Sequence, residues 1–307
     1  MAHSAKWFTL TMGAVAAWGL WGVASKLAAD RIPPLPNQVL ASLGLLIPAA
    51  FVVPALRRDG CSWRGLGLAF GAGLLGATGS LAFLASFTAG GKTAVVAPLT
   101  ALYPLITVIA AVGLMRERMH ATQVVGLALS IVAVVLLSLE PGSGLSVTRI
   151  EFRISDWLGL ALGALVAFGS SAILQKLATN HVSGDAAFGA FSAAFIPVAV
   201  GIYAFTTWPR NLAAVPTALG VAGGVLNGLG VLATLAAYRS GGKASLVTPL
   251  AALYPVITVV VAVVFLGERL DSRQAAGIAL AIAGGVCLGR EEGPGGRQAS
   301  DSPLPAR

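Results

Sequence analysis

Charge is scarce in this chain. Of 307 residues only 10% are charged, while 56% are hydrophobic. Soluble domains carry about 25% charged residues, so a water-soluble chain of this length could not cover its surface. The composition reads as an integral membrane protein. Cysteine is rarer still, with two residues. Cys61 falls in a short loop and Cys287 in an apolar run, which implies neither a disulfide framework nor a metal site. His3, His120 and His181 are scattered in loop-like contexts and do not resemble a ligand set. The 12 Asp and Glu residues all fall in loops, tails or helix ends. A proton-coupled pump, or a binder of lipophilic cations, typically keeps a carboxylate within the membrane. Both are disfavoured unless Glu117 or Glu268 turns inward. The same gap argues against an intramembrane aspartyl protease, and neither HExxH nor GxSxG is present. No catalytic residue, metal or cofactor is expected. The net charge of +8 does not signal nucleic acid, because Lys and Arg are spread between apolar runs and form no patch.

What is abundant is apolar runs. A membrane-spanning helix needs about 20 mainly apolar residues. Charges, prolines and polar clusters divide the chain into ten such runs, at 7–28, 37–56, 65–88, 94–114, 122–139, 157–178, 185–206, 212–237, 245–266 and 273–289. Lipid leaves no partner for free backbone groups, so these runs are predicted to be helices; barrel strands are shorter.

One stretch occurs twice. Gly90-Gly91-Lys92 leads through Pro98-Leu99 and Ala101-Leu102-Tyr103-Pro104 to Glu117-Arg118, Gln123, Gly126 and Ala128-Leu129. The order returns as Gly241-Gly242-Lys243, Pro249-Leu250, Ala252-Leu253-Tyr254-Pro255, Glu268-Arg269, Gln274, Gly277 and Ala279-Leu280. Without gaps, about half of roughly 50 paired positions are identical, far beyond chance for two apolar segments. The first run looks like a signal peptide, with Lys6 before an apolar stretch. The repeat argues otherwise: Trp18-Gly19 and Lys26-Leu27-Ala28 align with Phe168-Gly169 and Lys176-Leu177-Ala178. Runs one to five thus match runs six to ten.

Five is odd, so the second copy enters the membrane from the side opposite the first. The reading is two inverted five-helix repeats, a known design of secondary transporters. The first repeat spans 7–139, a linker 140–156, and the second repeat 157–290. The tail 291–307 is rich in Glu, Gly, Pro, Ser and Arg and reads as disordered. With the N-terminus in the cytoplasm, about 12 Lys/Arg lie inside and about 8 outside. Basic residues kept in both repeats fall one on each side and cancel. The others, led by Arg57, Arg58 and Arg64, place both termini in the cytoplasm.

Several motifs have two readings. Gly91-Lys92-Thr93 has the end of a phosphate-binding loop, but Ser86 stands where that motif needs Gly, and the copy Gly242-Lys243-Ala244 lacks the hydroxyl. A tight turn between two helices, with lysine at the interface, is expected instead. Tyr103-Pro104 and Tyr254-Pro255 sit mid-run, with Pro98 and Pro249 six residues earlier. Proline removes a backbone hydrogen bond and bends a helix. These are either packing kinks or hinges of a helix that lines a pathway and presents its tyrosine to a ligand. Lys26 and Lys176 either snorkel to headgroups or face a cavity and attract an anion. Asn227 reads as the only amide well inside a run, either bridging helices or binding substrate. Trp18 and Trp21 are either interfacial anchors or cavity walls. Gly67/Gly71, Gly159/Gly163 and Gly220/Gly224/Gly228 have helix-packing spacing.

The ordered duplicate series, with Trp18-Gly19 and Lys26, resembles the drug/metabolite transporter superfamily, specifically its EamA-like branch, over about residues 7–290. The resemblance implies an all-α integral membrane protein of ten transmembrane helices as two inverted repeats. It implies a central cavity lined by helices one, three, four, six, eight and nine, with five and ten peripheral. Family substrates include amino acids, nucleobases and sugar phosphates, often exported. The chain lacks the embedded acid of the family's small multidrug members, so multidrug cation efflux does not carry over. The expected function is a secondary transporter of a small polar metabolite in a bacterial inner membrane. Candidate substrate residues are Lys26, Lys176, Trp18, Tyr103, Tyr254 and Asn227; candidate hinges are Pro98, Pro104, Pro249 and Pro255. The expected partners are the substrate and the lipid bilayer. The alternatives are a membrane-embedded enzyme on lipid substrates, or a scaffold or sensor that keeps the fold.

Overall fold

The computed structural model describes residues 2–56, 62–106, 121–138, 155–209, 211–240, 247, 250, 251 and 253–288. Glu117, Lys243 and Pro249, all but the last two residues of the predicted linker, and the whole predicted tail lie outside them, as does the side chain of Lys176. The described residues form helices and turns without a strand.

The first half supplies α1 (Ala2–Ala29), α2 (Pro34–Leu56), α3 (Trp63–Thr88), α4 (Thr93–Thr100) and α5 (Ala121–Ser138). The second supplies α6 (Asp156–Thr179), α7 (Gly184–Ala193), α8 (Phe195–Phe205), α9 (Ala214–Arg239), α10 (Tyr254–Phe265) and α11 (Ser272–Leu288). Among the described residues six helical spans are long and apolar enough to cross a membrane, and three apolar helices are shorter. Large apolar side chains point outward, among them Phe205 at 93% and Phe265 at 76% exposure. That surface suits hydrocarbon and not water.

Three of the predicted runs are broken. The run predicted at 185–206 divides at Ala194 into α7 and α8, three residues before Pro197, which has no N–H to return to Ala193. The run predicted at 94–114 is described only to Ile106, and within it the helix gives way to a turn over 101–103 before resuming at Pro104. Pro104 cannot bond the Thr100 carbonyl, and Tyr103 N–H takes it instead at 3.2 Å. Bonds of the same tightened type follow at Leu105 to Leu102 (2.8 Å) and Ile106 to Tyr103 (3.0 Å). In the second copy Leu253 bonds Leu250 at 3.1 Å, and α10 then starts afresh at Tyr254. Pro255 so falls in a first turn, where a missing N–H costs nothing. The expected bends at Tyr-Pro are therefore changes of helix type.

The two halves interleave. α1 packs along α9, and its repeat mate α6 packs along α3. α2 crosses α9 as α7 crosses α3, and α1 meets α10 as α6 meets α4. Exchanging the halves turns each pair into its mate, which is an approximate two-fold relation. α5 and α11 pack chiefly on each other, with smaller contacts to α4.

Glycine makes the close crossings possible. A methyl group added at Gly224 would overlap the Ala41 carbonyl, and one at Gly73, its repeat mate, would overlap the Phe191 carbonyl. Gly220 and Gly228 continue the α9 seam against Asn37 and Pro48. The other two glycine pairs do not pack this way. Gly67 and Gly163 have open space beside them, Gly159 is exposed, and Gly71 meets only Leu174 at ordinary contact distance.

Candidate functional site

The interface between the halves carries a band of aromatic rings. Trp21 of α1 stacks on Phe83 of α3, with centroids 4.7 Å apart. Phe87 meets Phe83 edge-on at 4.7 Å, and Phe168 of α6 closes on Trp21 at 6.2 Å. Trp18 meets Tyr254 of the opposite half edge-on at 6.1 Å. Trp18 is partly buried and Trp21 is buried, so both are walls of this interface and not surface anchors.

The repeated Trp/Phe-Gly pair shows why it is repeated. A methyl group on Gly19 would lie 2.6 Å from Ile257 Cβ and 3.1 Å from the Tyr254 carbonyl. On Gly169 it would lie 2.5 Å from Ile106 Cβ and 2.8 Å from the Tyr103 carbonyl. Each half thus seats the middle of its first helix against the Tyr-Pro segment of the other. Buried hydroxyls fasten the same interface. Thr258 donates to the Gly19 carbonyl at 2.9 Å, and Ser171 donates to the Ala72 carbonyl at 2.7 Å. The Tyr254 side chain is buried and interacts with Thr100 and Tyr103 across the halves. Pro98, Pro104 and Pro255 are buried in the same region.

At one end of the bundle the halves exchange polar contacts. Gly90 turns α3 off at φ +97°, and Gly91 N–H bonds the Ser86 carbonyl at 2.9 Å while Gly90 N–H bonds Phe87 at 3.1 Å. This is a Schellman ending, which needs glycine at the left-handed position. The turn presents Lys92 to the second half. Its Nζ donates to the Arg269 carbonyl at 2.7 Å and to Gln274 Oε1 at 3.1 Å. Gly267, at φ +68°, follows the end of α10, where Glu268 N–H bonds the Ala262 carbonyl at 3.1 Å, and presents Glu268 to the first half. The Glu268 carboxylate accepts from Thr93 N–H and Ala94 N–H, each at 2.9 Å. It thereby satisfies two free donors at the N-terminus of α4, where negative charge is favoured. Gln274 is itself held: its N–H donates to Asp271 Oδ1 at 2.7 Å and its Oε1 accepts from Asp271 N–H at 3.3 Å, a capping box for α11.

These groups border a cavity of about 330 Å³ lined by Lys26, Asp30, Phe87, Lys92, Leu266 and Glu268, with the Gly90-Gly91 turn. Lys26 is ion-paired with Asp30 one helical turn on. It is neither a free interfacial anchor nor an unpaired cavity charge. Lys92, expected at the interface, is a cross-half donor.

Asn227 is partly buried on α9 and is not the only amide inside the helices. Asn37 and Gln38 of α2 are 1% and 0% exposed. Gln38 Nε2 reaches Ser42 at 3.3 Å, whereas its Oε1 and both polar atoms of Asn37 have no partner among the described residues. Both residues stand at the start of the run predicted at 37–56, just after Pro33, Pro34 and Pro36. The Gln274 role had a sequence signal, the Asp271–Gln274 spacing of a capping box. The Glu268 role had none, because its partner lies in the other half. Among the described residues no His, Cys, Asp or Glu group is arranged to hold a metal.

Apolar helices, outward apolar side chains and two interleaved related halves define a multi-pass membrane protein. The model of the EamA-like transporter family matches residues 5–139 and again 156–290. The chain therefore belongs to the EamA-like transporter family, consistent with the drug/metabolite transporter superfamily. Of 17 similar solved chains, one titled "Crystal structure of protein" superposes with a TM-score of 0.56 at 19% identity, covering 93% of this chain and 97% of its own. At that identity the likeness concerns the fold alone. No curated protein matches this chain.

Proposed function

We propose that this protein is a secondary transporter that moves a small polar metabolite by alternating access, as an exporter or exchanger. Ten transmembrane helices would form two inverted repeats in the cell inner membrane, with both termini cytoplasmic. The observation that carries the reading is the reciprocal seating of Gly19 on the Tyr254 segment and Gly169 on the Tyr103 segment. Two halves that hold each other through the same contact can exchange roles, and this gives a central site access to either side in turn. Trp18, Tyr103, Tyr254 and Asn227 are the substrate residues on this reading. Pro98, Pro104, Pro249 and Pro255 set the segments that change shape. Lys26, and Lys176 at the matched position, attract an anionic group of the substrate.

The test is a thermal-shift screen of the purified protein against amino acids, nucleobases and sugar phosphates, followed by counterflow in liposomes for each hit. At least one compound that shifts the melt should also exchange. A panel without any exchanging hit would count against transport. Hydrolysis or modification of a lipid would favour the membrane-enzyme alternative.

A further inference from the structure

The Glu268 carboxylate and the Lys92 ammonium face opposite directions across one boundary. Glu268 follows α10 in the second half and caps α4 of the first. Lys92 precedes α4 in the first half and holds the chain after α10 in the second, through the Arg269 carbonyl and Gln274. The two segments joined this way are the ones that carry Tyr103-Pro104 and Tyr254-Pro255. Here both contacts are charged, both cross between halves, and each is placed by a glycine in the left-handed region. They sit at the rim of a cavity, where water can replace them when they part. Such charge-assisted bonds are strong while shielded and are readily exchanged for water when exposed.

We infer that Lys92 and Glu268 form a reciprocal latch that closes this end of the molecule, and that its parting opens this face to solvent. The inference rests on the transport reading above, because it assigns the opening to one state of an alternating cycle. When the latch parts, α4 and α10 separate at this end, and the cavity deepens toward Val95 and the Trp21–Phe83 stack. Val95 lies two residues beyond Thr93 and is 1% exposed, so it reports that opening. Ala178, fully buried with Ala69 and Ala187, reports the far end: Ala69 is in the first turns of α3, and Gly90 closes its last.

The experiment uses the full chain in liposomes with Cys61→Ala and Cys287→Ala, carrying Val95→Cys or Ala178→Cys. Labelling by a membrane-impermeant maleimide, added to both sides, is followed in the parent and in Glu268→Ala, Glu268→Gln and Lys92→Ala backgrounds. A latch predicts that labelling at 95 rises by about tenfold in each background, least in Glu268→Gln, while labelling at 178 stays low. Unchanged labelling at 95 overturns the inference. An equal rise at 95 and 178 also overturns it, since the contacts would then only hold the fold together. Counterflow in the same liposomes separates the two readings. Exchange by the parent with no latch effect at 95 leaves transport standing and removes the latch. A selective rise at 95 with no exchange by the parent keeps the latch and removes transport.

Discussion

Gly19 lies against the backbone carbonyl of Tyr254, close enough that an added methyl group would stand 3.1 Å from that oxygen and 2.6 Å from Ile257 Cβ. Gly169 repeats the relationship with Tyr103 and Ile106. Gly19→Ala and Gly169→Ala should therefore each destabilise the protein, by about 1–3 kcal/mol of overpacking. Gly13 sits on the same helix as Gly19 with open space beside it. Gly13→Ala should leave the melt unchanged or raise it by up to about 1 kcal/mol in helix propensity. Thermal melts of the three variants in one detergent check this. Equal behaviour of Gly13→Ala and Gly19→Ala would refute the close seating.

The Gly90-Gly91 turn gives a second prediction. Gly90→Ala forces a side chain into the left-handed region, at a cost of about 1–2 kcal/mol. Gly91 has an ordinary backbone conformation, but a methyl group there would stand 2.8 Å from the Ser86 carbonyl and from Val96 Cγ2. Both variants should lower the melting temperature, and Gly90→Asn should recover part of the Gly90→Ala loss because Asn tolerates this conformation. A Gly90→Asn variant no better than Gly90→Ala would place the cost elsewhere.

The ion pair at the end of α1 makes a third. Asp30 holds Lys26 beside the cavity. On the proposed reading, Lys26→Ala weakens an anionic substrate by about tenfold, the scale of one charged hydrogen bond. Asp30→Asn frees the ammonium and should strengthen the same substrate. Titration by thermal shift reads both. Indifference to both changes would mark the substrate as neutral or zwitterionic and move its recognition to Trp18, Asn227 and the Tyr-Pro segments.

Trp18 supplies the fourth. Its repeat mate is Phe168, and each ring stands at the boundary between the halves. Trp18→Phe should keep most transport, since the other half works with phenylalanine at that place. Trp18→Ala removes the wall beside Tyr254 and should lower the rate by at least about tenfold. Initial exchange rates at saturating substrate decide it; parity between the two variants would remove Trp18 from the site.

Much of this architecture was legible in the sequence, because apolar runs and a duplicated series need no tertiary information to be seen. The turn at Gly90-Gly91 and the interruptions at Tyr-Pro follow from glycine and proline chemistry. The depth of the interruption did not. Whether proline bends a helix or changes its type depends on which N–H takes the abandoned carbonyl, and at Thr100 it is Tyr103. The cross-half contacts were not legible either. Glu268 looks like a loop acid until the N-terminus of α4 is placed against it. Asn37 looks like the edge of a run until α9 packs Gly220 against it. Likewise Gly67, Gly163 and Gly224 share one spacing pattern, and only a neighbouring backbone tells the close crossing from a lipid-facing glycine.

Alternating access is read out by counterflow. Liposomes containing the protein are loaded with an unlabelled metabolite that raises its melting temperature, and uptake of the labelled compound is followed from outside. A transporter working by alternating access should show transient accumulation that disappears in Trp18→Ala. Binding without counterflow in correctly inserted protein would contradict alternating access and leave a sensor or scaffold built on a transporter fold.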